Sequence, residues 1–190
     1  MIFKVMIIIA SLLCIHASWL PTKAWLSQEL ISYSWHQSMA LQSSLPKRSV
    51  VAVKPWPWAD TFPIAKLSFK RLEENIVVLN GGDPTTLAFS AGAVAPFNQA
   101  NNNKPFVVAG HRDSHFAFLE DVLMKDVISM TDQYGKSQLY QVEAIDIVDA
   151  SSGELPILAN DSSLILITCY PFESIGSDAN ERYVITATLI

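Results

Sequence analysis

From residue 65 to residue 190 the chain repeats one pattern: a short apolar or alternating run, then Gly, Asn, Asp, Ser or Pro. The runs cover 65–72, 76–79, 106–109, 127–130, 139–142, 145–148, 164–170 and 183–190. Each is too short for a globular helix and most are rich in β-branched or aromatic residues, so each predicts a strand. About eight short strands separated by turn residues restrict the chain to an all-β barrel or sandwich. Residues 87–96 and 115–123 read as short helices or loops, and Asn101, Asn102 and Asn103 as a loop tip.

The 190 residues are enough for one domain and a hydrophobic leader. Without its N-terminal part the chain keeps roughly 145 residues, enough to bury about two thirds of the unfolded surface with no metal or disulfide. A formal net charge of -5 and the lack of any basic stripe exclude a nucleic-acid surface. Two distant cysteines and four scattered histidines provide no metal-ligand spacing, and no cofactor motif is present.

Residues 1–20 contain one Lys, Lys4, ahead of an apolar run interrupted by His16. This predicts a membrane anchor with the N-terminus inside and the domain outside the cytoplasmic membrane. A cleaved signal peptide, ending near Ala17 or Ser18, is the competing expectation. Leu13 before Cys14 argues against a lipoprotein signal. Residues 21–53 follow as a juxtamembrane helix and linker, in which Leu26, Leu30, Ile31, Trp35 and Met39 form an apolar stripe with Ser and Gln opposite. The run Lys54-Pro55-Trp56-Pro57-Trp58-Ala59-Asp60 opens the domain, 54–190, as an extended strap whose rings pack on the core.

Three residues stand at the edges of these runs with chemistry to offer. Cys169 ends the run Leu164-Ile165-Leu166-Ile167-Thr168-Cys169, where a thiol can meet substrate. A free cysteine is commonly a small buried hydrophobe, but a lone thiol in an oxidising compartment suggests reactivity. His111 follows Gly110 at the end of another buried run and is the candidate acid and base; His115, in a less constrained position, competes for that role. Arg182 could cover apolar neighbours with its stem or donate to a developing oxyanion.

Together Ala109-Gly110-His111-Arg112-Asp113, Ile165-Leu166-Ile167-Thr168-Cys169 and Arg182 resemble the sortases, membrane-anchored cysteine transpeptidases. The resemblance spans about 54–190, includes the order His, Cys, Arg, and is strongest to sortases of Gram-negative marine proteobacteria. Ile165 stands where the family has the first Thr of its Thr-Leu-x-Thr-Cys signature, which an inward-facing side chain would accommodate.

The resemblance implies a closed eight-stranded β-barrel. It also implies that Cys169 attacks an LPxTG-like C-terminal sorting signal, that His111 moves protons, that Arg182 stabilises the oxyanion and that Thr168 lines the groove. The partners implied are a protein carrying that signal and an amine acceptor, with loops 98–104 and 172–180 shaping the groove. Two alternatives remain open on the sequence. An L,D-transpeptidase-like enzyme would set its cysteine among Ser and Gly with an early Arg, whereas Thr168 and Tyr170-Pro171 flank this one. A non-catalytic, membrane-tethered β-barrel binding module would keep Cys169 as core.

Overall fold

The structure is a computed structural model that describes residues 2–44, 52–99, 104–151, 162–173 and 180–190. Eight strands close into one barrel: β1 (Pro63–Phe69), β2 (Glu74–Asn80), β3 (Gly92–Ala93), β4 (Phe106–Ala109), β5 (Val127–Asp132), β6 (Ser137–Asp149), β7 (Leu164–Tyr170) and β8 (Glu181–Leu189). Their order around the barrel is β1-β2-β3-β4-β7-β8-β6-β5. Closure removes the unpaired edges that an open sheet would leave exposed.

The expected number of strands is present, but two of them differ from expectation. Residues 139–142 and 145–148 form one long strand, β6, with a register shift between Val142 and Ala144 where a turn was expected. The missing strand is β3, inside the stretch read as a short helix or loop. Its two residues pair in parallel with β2 and antiparallel with β4. Gly92 is required there, because a Cβ would lie 1.9 Å from the Gly81 carbonyl oxygen. The remaining short helices are α2 (Pro84–Leu87), capped by the Asp83 carboxylate, and a 3-10 turn at Ala117–Asp121.

Alternation along the strands sorts side chains onto two surfaces. The barrel interior holds Leu67, Val78, Phe106, Val108, Met130, Val142, Leu164, Leu166 and Ile185, all buried, with Phe116 and Leu119 closing one end. On the outer side a smaller cluster forms from Val107, Ile165, Ile167 and Val184, with Val94, Phe97 and Val148 packed against it. The unbroken apolar run of β7 has this cause: both faces of the strand are covered.

The N-terminal segment is one helix, α1 (Ile2–Ser43), which continues through Pro21 instead of dividing there. Among the described residues no helix is long and apolar enough to cross a membrane, so the span expected over 1–20 has no counterpart among them. The C-terminal half of α1 lies against β1 and β2. Ile31 and Trp35 are buried as the apolar stripe predicts, but Ser34, Ser38 and Gln42 are buried too, so the docked face is more polar than expected. Ser34 meets that demand by donating to the Val53 carbonyl and Ser38 by donating to Ser34.

The strap 54–60 packs only in part. Trp56 meets Phe89 edge to face at 4.9 Å, whereas Trp58 is 79% exposed, against the expectation that both rings cover the core. Residues 45–51, the tip at 101–103 and most of the two expected groove loops (100–103 and 174–179) lie outside the described residues.

Candidate active site

β7 and β8 bring two of the three candidate groups together by register alone. Cys169 pairs directly with Arg182 across the antiparallel ladder, an arrangement that sets the two side chains on one face with Cβ atoms roughly 5 Å apart. On its other side the β6–β8 ladder pairs Arg182 with Val148. Arg182 is thus the second residue of β8, flanked by β7 on one side and β6 on the other. Its Nη1 donates to the Glu181 carbonyl at 3.0 Å.

The third group arrives on the other flank of β7. β4 runs parallel to β7 with Ala109 opposite Ile167, and the Gly110 amide continues the ladder by donating to the Ile167 carbonyl at 3.1 Å. His111, next in the chain, therefore comes level with the end of β7 just as β4 stops. It is exposed, while Cys169 is a free, half-buried cysteine. By alternation Cys169 follows Ile165 and Ile167, and Arg182 precedes Val184, so both continue the outer surface whose floor is the small apolar cluster.

Thr168 has a different position from the one expected of it. Its side chain is buried, and its hydroxyl donates to the Gly110 carbonyl at 2.8 Å. Its parity directs it inward, where it ties β7 to the residue before His111. Ile165 also departs from expectation: it is buried, but in the outer cluster and not in the barrel interior.

The packing of three features of the site was not foreseen from the sequence. Gly110 permits close approach: a Cβ there would lie 2.7 Å from the Phe116 ring, which is fully buried. Arg112, beside His111, is buried at 7% exposure. Beneath the β7 and β8 ends, Tyr170 stacks on Tyr183 at 6.2 Å and Phe172 meets Tyr183 edge to face at 5.1 Å. Burial, helped by the charges of Glu120 and Tyr170, pushes the Tyr183 phenol above its usual range, so it stays neutral in this plug. The signal for the plug was present as aromatic residues adjoining Cys169 and Arg182. Among the described residues no group of three or more His, Cys, Asp or Glu side chains can hold a metal ion.

A thiol, a guanidinium and an imidazole at one barrel end suit acyl transfer through a thioester. A family model described as the sortase domain matches residues 67–190. The chain belongs to the sortase family. Sortases are cysteine transpeptidases that act on proteins carrying sorting signals. Among characterised relatives, sortase D of Bacillus subtilis is 28% identical over 120 residues, 63% of this chain and 60% of that protein's length.

The Clostridium perfringens sortase D5 transpeptidase superposes with a TM-score of 0.63 at 17% identity, covering 86% of this chain and 96% of the other. Sortase A of Corynebacterium diphtheriae gives 0.59 at 22%, with 86% and 84% covered. The catalytic domain of B. anthracis SrtD gives 0.54 at 30%, with 67% and 87% covered. Identities below one quarter speak for the barrel alone; the match to SrtD and the family model extend to sequence.

Proposed function

We propose that this sortase cleaves a protein at a C-terminal LPxTG-like sorting signal and transfers it to an amine or to water. Cys169 Sγ, its proton passed to His111, adds to the carbonyl carbon of the signal's Thr, forming the C–S bond. Arg182 donates to the oxygen as it gains charge. The C–N bond to Gly then breaks, and His111 supplies the proton that the departing amine needs. An incoming amine attacks the thioester, gives its proton to His111 and releases Cys169.

One observation carries this reading. The strand registers put Cys169 opposite Arg182 and put Gly110, immediately before His111, on the β7 ladder beside them. The buried outer cluster of Val107, Ile165, Ile167 and Val184 lies directly beside Cys169 and Arg182 on the same face and holds their strands in place.

The anchor and location belong to the same proposal. Residues 1–20 would hold the chain in the cytoplasmic membrane, with the barrel on the periplasmic side of a Gram-negative cell. Support comes from the large apolar side chains that α1 leaves exposed on several sides, including Phe3, Met6, Ile7, Leu13, Trp19 and Leu20. Membrane fractionation of the full chain tests this, and a chain found wholly in the soluble fraction removes the anchor.

The decisive experiment incubates the purified chain with LPxTG-type peptides and a small primary amine and follows it by mass spectrometry. A Cys169 adduct carrying the acyl fragment, chased into the amine product, is the expected result. An unmodified thiol and intact peptides across a varied peptide set would leave a binding module as the better description.

A further inference from the structure

The turn that carries His111 is held from both sides. Inside, Phe116 is buried against Gly110, and its amide donates to the His111 carbonyl at 2.9 Å. On the other side His115 lines a cavity of about 450 Å³ between the barrel and α1. The carbonyl of Ala88, the C-cap of α2, lies within reach of the His115 imidazole and favours a proton on it. The carbonyl of the next residue, Phe89, accepts from Gln28 Nε2 of α1. Two adjacent carbonyls thus tie the His111 turn and the N-terminal helix to one short segment.

We infer that His115 is a positioning residue for His111, fixing the 111–116 turn to the Ala88–Phe89 carbonyls that also anchor α1 through Gln28. The inference rests on the transpeptidase reading for its kinetic readout but not for its structural one. In this role His115 works as a neutral donor. Burial holds its pKa below the usual imidazole range, and the positive charge of His111 acts in the same direction; the Ala88 carbonyl and Asp113 oppose them. The cavity also contains His36 from α1, Lys66 from β1 and Glu74 from β2.

A proton on His115 therefore adds a cation near Lys66 and His111, with only Asp113 and Glu74 to offset it. Because the folded pKa lies below the unfolded one, the folded state binds this proton less readily. The stability linked to His115 is complete above the unfolded value, about 6.5, and is lost as the pH falls toward the folded value.

The test uses the full chain with three substitutions. His115→Phe fills the space without a donor, His115→Gln keeps an N–H donor, and Gln28→Leu cuts the second tie at an exposed position. His115→Phe lowers kcat about tenfold with KM little changed, the scale of a displaced catalytic group, and His115→Gln restores most of the rate. Histidine NMR titration reads the His111 ring whether or not peptide is cleaved. Both His115→Phe and Gln28→Leu shift its resonance, and His115→Gln flattens the fall in thermal midpoint between pH 7 and pH 5. Inactivity of the wild type with these His111 shifts intact would fault the transpeptidase reading alone. An unmoved His111 resonance in His115→Phe, or failure of His115→Gln to restore a folded enzyme's rate, overturns the inference. If His115→Phe does not fold, Gln28→Leu decides in the same way.

Discussion

Leu164 and Leu166 point into a core to which every strand contributes, whereas Ile165 and Ile167, one residue away, meet only Val107, Val184 and three partly buried neighbours. The same strand serves both surfaces, and pleating alone separates them. Inward packing involves most of the molecule and determines whether the barrel exists. Outward packing is local and determines the height at which the thiol of Cys169 stands relative to β4 and β8. A chain organised this way can vary its outer face without dismantling its core.

The largest expected difference between the two faces comes from Cys169→Ala. It abolishes the acyl-enzyme seen by mass spectrometry, while urea unfolding moves by no more than about 1 kcal/mol, since one half-buried sulfur is removed. Turnover surviving in that variant would break the assignment of chemistry to the outer face. Leu166→Ala acts in the opposite sense: it empties core volume and lowers stability by about 2–5 kcal/mol in the same unfolding assay, with the folded fraction retaining its thiol reactivity.

Ile167→Ala sharpens the contrast on the neighbouring position. Its stability loss is smaller, about 1–2 kcal/mol, because the outer cluster can relax, and its main effect is a raised KM for peptide. Equal unfolding losses for the two alanine variants would erase the distinction between core and floor. The smallest effect is that of Thr168→Val, which keeps shape but removes the donor to Gly110; it lowers stability by about 1 kcal/mol and moves the Gly110 and His111 amide resonances. Unmoved resonances would mean that the tie does not locate His111.

What the sequence made legible follows from how locally each feature is encoded. Cys169, His111 and Arg182 could be singled out as candidates because each sits at the end of a run or in a short motif, and the strand registers bring them to one end of the barrel. Eight runs of strand length limited the domain to an all-β barrel or sandwich, and the resemblance to sortases chose the closed barrel. β3 was hidden, because two residues of Gly and Ala carry no periodicity and pair only through backbone contact with β2 and β4. β6 was divided because Glu143 and Ala144 interrupt its alternation where the ladder slips. The inward direction of Thr168 and the polar docking face of α1 depend on partners far away in sequence, Gly110 and Val53. No local pattern announces such contacts.

The bond from Thr168 to Gly110 joins residues 58 positions apart in the chain. Contacts of such long range form late, since the entropy of closing the intervening loop must first be overcome. During synthesis, a polypeptide that has not yet reached β7 has neither Cys169 nor Arg182, and one whose barrel is still open keeps them apart from His111. The three side chains therefore meet only when the barrel closes, so any chemistry that needs all of them waits for completion of folding.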